Sequence, residues 1–401
     1  MKHHCIRIAA VLTLAATCLT LFSCFPGSEA PLPSTQEITI TESSVGVNFS
    51  LHVNNDSFYI VFPALNALSL NFVDFVNLMD AADLATARSS AEPCSLAVRD
   101  TTYLDRISYT PEIDINFGRH LFLADGRTRH ILYTDLENEG NRVLKWLSRT
   151  DDDDAWWIDS LPGLRYPLIG RLDEEDGIRA VVAEGGALSL YILNKDRDLQ
   201  RISTTVLPSG DFLAQGDVSV VQQDDFWAFT AYDGSSRRLY LVHTKDDEIA
   251  AQAVYTAGEI HYSTIANGRL LILIFEPLES TITLLETDLS GDHTLDQKSF
   301  EVLPVTLCEG TTSVFLAFHE DRRLFLFNEW TTDQEDNRSY QLSLLYPAAK
   351  GSQYRKVPLV TGDAEIERFR ALQVGDCLYV LYLQDELRLL SLSLADIPKE
   401  D

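Results

Sequence analysis

Cys377-Leu-Tyr-Val-Leu-Tyr-Leu383 is followed, across Gln384-Asp385-Glu386, by Leu387-Arg-Leu-Leu-Ser-Leu392. Two short apolar runs, rich in aromatic and aliphatic residues and joined by a polar turn, read as a β-hairpin whose strands are too short to be helices. The same order recurs upstream. His120-Leu-Phe-Leu-Ala-Asp125 turns through Gly126 into His130-Ile-Leu-Tyr-Thr-Asp135, and a charged loop leads to Arg142-Val-Leu-Lys-Trp-Leu147. Arg179-Ala-Val-Val-Ala-Glu184 passes Gly185-Gly186 into Leu188-Ser-Leu-Tyr-Ile-Leu193. Phe226 to Ala231, Arg269 to Phe275 and Arg323 to Phe327 each precede a partner run, at Leu239, Thr281 and Tyr340.

Units counted from 120, 179, 226, 269, 323 and 377 are separated by 59, 47, 43, 54 and 54 residues. Periods of this size with variable loops indicate an all-β fold, a β-propeller. Phe58-Tyr-Ile-Val-Phe62 supplies a degenerate further unit, so seven blades are expected first, with six or eight compatible. The last unit ends after three strands, with only Ala395 to Asp401 beyond it, while Glu37-Ile-Thr-Ile-Thr41 is an orphan strand. If that strand completes the last blade, the ring closes without an exposed sheet edge. One segment departs from the pattern. In 71–90, Phe72, Phe75, Val76, Met79 and Ala82 recur at helical spacing, which predicts a helical insertion packed on one end of the ring.

The N-terminal stretch reads differently. Lys2 and Arg7 precede an uncharged apolar run, Ile8 to Phe22, of 15 residues, shorter than the roughly 20 of a spanning helix. Leu21-Phe22-Ser23-Cys24 ends it and resembles the lipobox of bacterial lipoproteins; Ala15-Ala16-Thr17-Cys18 is a weaker match that would leave Leu19 to Phe22 exposed. The resemblance implies a signal peptide over 1–23, lipidation of Cys24 by diacylglycerol with acylation of the new amine, and attachment to membrane lipid. Two or more acyl chains anchor stably, since each buried methylene contributes roughly 0.8 kcal/mol. Residues 24–37, with Pro26, Gly27, Pro31 and Pro33, form a tether, and 38–401 a single propeller domain. Phe25 rather than aspartate follows the cysteine, which by the same resemblance favours the outer membrane.

Without residues 1–23 the chain keeps 30 Lys and Arg against 60 Asp and Glu, a net charge of −30. Such a surface repels a phosphate backbone, so nucleic acid is excluded as a partner. Cys94, Cys308 and Cys377 remain after the leader and Cys24; one disulfide is possible, but Cys377 sits in an apolar strand and reads as a buried thiol.

Candidate chemistry is sparse. Asp288-Leu-Ser-Gly-Asp-His-Thr-Leu-Asp296 spaces oxygens as a calcium loop does, yet Ser290 stands where an acid is usual and His293 where glycine would turn the chain; a plain hairpin loop accounts for it. Asp151–Asp154 and Asp173–Asp176 read as solvated loops, and Trp156-Trp157 as packing rather than a sugar platform. Histidines 52, 120, 130, 243, 261, 293 and 319 are scattered, without metal-ligand spacing; His120 and His130 flank one hairpin. No Gly-x-Ser-x-Gly elbow, His-Glu-x-x-His or phosphate loop occurs. No catalytic, metal or cofactor residue is assigned.

Tyr133-Thr-Asp-Leu-Glu-Asn-Glu-Gly-Asn-Arg-Val-Leu-Lys-Trp146 is similar to the Asp-x-x-Thr-Gly-Lys-x-x-Trp repeat of quinoprotein-like propellers, a family that includes an outer-membrane lipoprotein which binds partners without chemistry. The resemblance implies a binding or scaffolding propeller with an envelope protein partner. The competing readings are an envelope glycan hydrolase or lyase with acids at the channel, and a surface adhesin.

Overall fold

The computed structural model describes the strands given below together with residues 49, 120, 152, 156, 164, 177, 186, 194, 198, 207, 247, 268, 289, 336–337, 363–367, 375–376, 384–386 and 394–397. Chain contacts separate Met1–Leu32 from Pro33–Asp401, and every described residue belongs to the second unit. Cys24, the leader and most of the tether therefore lie outside the described residues.

Among the described residues, seven antiparallel sheets follow one another along the chain. Sheet I holds Ser44–Val45, Ser50–Val53, Phe58–Leu65, Asn71–Met79 and Asp100–Ile107. Sheet II holds Leu121–Ala124, Thr128–Leu136, Arg142–Thr150 and Trp157–Leu161. Sheet III holds Tyr166–Leu172, Ile178–Glu184, Ala187–Leu193 and Leu199–Val206. Sheet IV holds Val221–Gln223, Phe226–Asp233, Ser236–Lys245 and Glu248–Tyr255. Sheet V holds Tyr262–Ala266, Arg269–Glu276, Thr281–Asp288 and Asp296–Glu301. Sheet VI holds Val314–His319, Arg322–Thr332, Arg338–Pro347 and Tyr354–Gly362. Sheet VII holds Arg368–Val374, Cys377–Leu383, Leu387–Ser393 and, from the other end of the chain, Thr35–Thr41.

Six of these are four-stranded blades. Sheet I departs from the unit with five strands, because Ser44–Val45 and Ser50–Val53 both pair with Phe58–Leu65. Six four-stranded blades thus stand where seven, one of them degenerate, were expected first; six was among the compatible numbers. A second correction concerns 71–90. Asn71–Met79 is a strand between two others, not a helix, and 80–90 lies outside the described residues. A register shift opposite Phe58/Tyr59 leaves Leu78 as an extra residue on this strand, so Val76 and Met79 stand three apart in the sequence, a spacing that imitates a helix.

The continuous apolar runs follow from burial on both faces. In sheet I, Ile60 and Phe62 pack with sheet VII, whereas the alternate residues Tyr59 and Val61 pack with sheet II. In sheet III, Ile178, Ala180 and Val182 join sheet II, and Val181 and Ala183 join sheet IV. Sheet IV gives Tyr240 and Val242 to sheet III and Leu239 and Leu241 to sheet V. Sheets V and VI meet through Leu271, Leu273, Phe325 and Phe327. Each such valine, leucine, isoleucine or phenylalanine, fully buried, contributes about 1.5–3 kcal/mol. Where the inner strands of sheets II and III approach, a glycine leaves room: a Cβ at Gly170 would stand 3.0 Å from the Leu123 side chain and 3.3 Å from the Arg179 carbonyl.

Polar ties also cross the seams. The Phe318 N–H donates to Gln373 (2.9 Å), and the Asn328 amide donates to the Ile366 carbonyl (3.2 Å), joining sheet VI to sheet VII. Arg179 pairs with Asp247 between sheets III and IV. The last seam closes as the sequence predicts: Thr35–Thr41 pairs antiparallel with Leu387–Ser393 as the outer strand of sheet VII. Glu37 accepts hydrogen bonds from the Tyr382 hydroxyl (2.8 Å) and from Arg388 (3.0 Å). Burial, and then the bond to Glu37, hold the Tyr382 phenol protonated well above the usual tyrosine range. Cys377 is buried within the apolar cluster of this seam, as expected, while Cys94 and Cys308 lie outside the described residues.

Because Ile40 on the closing strand packs into that cluster, Ile40→Ala is expected to cost about 2–3 kcal/mol. Equilibrium urea unfolding measures the loss as a lowered midpoint with an unchanged slope; no change in midpoint would show that the strand does not hold the ring closed.

Candidate functional site

Ser50 and His52 lie two residues apart on one short strand and so share a face. That face looks onto the inner edge of sheet II. The His52 ring lies 5.0 Å from Phe122 and 5.7 Å from His120, the latter nearly edge-on at 69°. His120 immediately precedes the inner strand of sheet II, and its Nε2 makes a hydrogen bond with the Ser50 hydroxyl. His52 Nε2 reaches the same oxygen at 2.6 Å. Two imidazole nitrogens thus converge on one hydroxyl. His120 is buried, whereas Ser50 and His52 are only half-buried.

The proton count restricts the arrangement. A hydroxyl has one proton and two lone pairs, so Ser50 can donate to one Nε2 and must accept from the other. One ring therefore presents a bare Nε2 and the other an Nε2–H. Burial, and secondarily the neighbouring His120, push His52 well below the ordinary imidazole value, so it is neutral at neutral pH. Behind the cluster, Phe122 packs 5.0 Å from the Tyr59 ring, and the Tyr59 hydroxyl accepts from Arg129 at 3.2 Å. The wall is aromatic and braced by a cation at its outer end.

The other residues named from the sequence fall elsewhere. His120 and His130 are not brought together: Leu123, not His120, is the cross-strand partner of His130, whose Nδ1 accepts from Trp146 at 3.2 Å. His243 rests on Phe226 at 5.2 Å, and His319 bonds Asp376 at 3.1 Å across the seam of sheets VI and VII. Trp157 packs edge-on against Trp146 at 5.3 Å, and Trp156 packs beside the apolar cluster shared by sheets I and II. Asp288 receives Arg269 at 3.2 Å, while 290–295 of the candidate calcium loop lie outside the described residues, as do His261 and His293. Among the described residues no group of three or more His, Cys, Asp or Glu is placed to hold a metal ion.

The buried carboxylates serve as ties. Glu286 of sheet V accepts from Arg269 at 2.8 Å and pairs with Arg323 of sheet VI. Glu329 accepts from Lys356 (2.9 and 3.0 Å), Ser343 (2.7 Å) and Gln341 (2.8 Å). Ser50 was missed in the sequence. Its only signal is the Ser50-x-His52 spacing, which on a strand places both side chains on one face.

No family model matches the chain, and no curated protein matches it. Among solved structures it is similar to "YCF48 bound to D1 peptide", with 11% identity, a TM-score of 0.50, and 90% of this chain and 96% of that one covered. It is also similar to a catalytically inactive virginiamycin B lyase from Staphylococcus aureus with quinupristin, with 15% identity, a TM-score of 0.50, and 90% and 99% covered. At these identities the likeness shows the fold: the chain is a β-propeller.

The neutral His52 makes stability depend on pH in a defined direction. Above pH 6.5 the ring is uncharged in both folded and unfolded chains. Below it, the unfolded chain binds a proton that the folded site refuses, so stability falls as pH drops toward the depressed folded value, by at most about 1.4 kcal/mol per pH unit. Urea midpoints at about pH 7.5 and 5.5 should separate more in the wild type than in His52→Gln. Equal separation in both would mean that His52 does not titrate with a lowered pKa.

Proposed function

We propose that the protein is a lipid-anchored β-propeller of the cell envelope that binds an envelope protein and is held to the outer membrane through acylated Cys24. The observation that carries this reading is the order of parts. A lipobox-like Leu21–Cys24 and a proline-rich tether lead directly into Thr35–Thr41, the strand that completes sheet VII. Anchor and ring closure thus depend on one segment, which suits a rigid body displayed from a membrane. A protein partner is supported by the fold, since one propeller of similar structure is described with a bound peptide. The strongly acidic composition favours a basic or neutral partner surface over nucleic acid.

The glycan-enzyme reading needs a pair of uncommitted acids, and the buried carboxylates Glu286 and Glu329 are both held by basic side chains in or beside the seams. The adhesin reading differs in the face of the membrane on which the propeller lies. Labelling cells with an alkynyl palmitate analogue is expected to mark the wild type and not Cys24→Ala, with the wild type alone sedimenting with outer membranes. Cross-linking of intact cells followed by detergent capture should then recover one envelope protein with the anchored form. Label retained in Cys24→Ala would refute the anchor, and protease removal of the propeller from intact cells would move it to the surface.

A further inference from the structure

We propose that Ser50, His52 and His120 form an acyl-transfer centre at the seam of sheets I and II, acting on esters or thioesters of small or apolar acyl groups. This goes beyond a binding role and does not depend on the anchor. The parts required of such a centre are a nucleophile, a base within hydrogen-bond reach and a donor for developing negative charge. Ser50 is the nucleophile: its hydroxyl is half-buried, and His52 Nε2 lies 2.6 Å from it. His52 supplies the bare Nε2 and acts as base. In this assignment His120 carries the Nε2–H, directed at the Ser50 oxygen. Phe122, in contact with the His52 ring, and Tyr59 behind it form an aromatic wall suited to an apolar acyl chain.

The reaction balances without a cofactor. The Ser50 oxygen forms a bond to the carbonyl carbon, the carbonyl π pair moves to its oxygen, and the hydroxyl proton passes to His52. The His120 N–H, released from the hydroxyl, donates to the new oxyanion. Collapse reforms the carbonyl and breaks the bond to the leaving alcohol or thiol, which takes the proton from His52. Water, deprotonated by the same ring, then attacks the acyl-serine; the carboxylic acid departs and Ser50 recovers its proton. Ester and water give acid and alcohol.

The detergent-solubilised full chain, shown to be folded by circular dichroism, is treated with a biotinylated fluorophosphonate and its labelled peptides are sequenced by mass spectrometry. Label is expected on Ser50 in the native protein and not after heat unfolding. Hydrolysis of p-nitrophenyl butyrate should fall about 100-fold or more in Ser50→Ala and in His52→Gln. Cys24→Ala should label as the wild type does, so loss of the anchor and loss of this centre are told apart. Native wild-type protein that carries no label on Ser50, or that does not hydrolyse the ester, overturns the proposal. Because the wild-type label decides the matter, a variant that fails to fold does not rescue it.

Discussion

The structure depends on strands that are buried on both faces. Cys377–Leu383 is buried at every position, and the second strand of sheet VI at Leu324 through Glu329. A sheet with such a strand at its middle cannot stop at solvent on either side. Each sheet needs a neighbour on both faces, and that requirement is met along a finite chain only if the series returns to its start. The alternation of Ile60 and Phe62 toward sheet VII with Tyr59 and Val61 toward sheet II is this constraint expressed residue by residue.

Closure then falls on the chain ends. A three-stranded C-terminal hairpin pair would present an unpaired edge, which invites association with other chains. The distant Thr35–Thr41 strand covers it, and Glu37 ties it down through Tyr382 and Arg388. Stabilisation here is cooperative between the two termini, so damage at either end opens the same seam.

The two buried carboxylates inside the seams are tolerated because each is paired across or along a sheet. Glu286 neutralises two arginines from adjacent sheets, and Glu329 collects a lysine, a serine and a glutamine. Each carboxylate is thus engaged by basic side chains. The Ser50 cluster differs. Ser50 and His52 lie on one of the two short strands that both pair with Phe58–Leu65, and the Ser50 hydroxyl joins the two imidazoles. A break in the regular ladder and a reactive combination of side chains coincide there.

The amino-acid sequence by itself determined the strands, their recurrence and the closing role of Glu37–Thr41, because a two-sided burial pattern and an orphan strand are local signals. It determined the acidic balance as well. Residues 71–79 misled, since an extra residue at Leu78 interrupts the period-two signature that marks a strand. The unit beginning at His120 starts on a first strand, whereas those at 179, 226, 269, 323 and 377 start on second strands, so the counted period was uneven where the fold is regular. Only the tertiary structure decided that His120 leaves His130 and meets Ser50 and His52 instead. The physical reason is separation: residues 70 apart in the chain become neighbours through the packing of two inner strands, and nothing local to either strand encodes that approach.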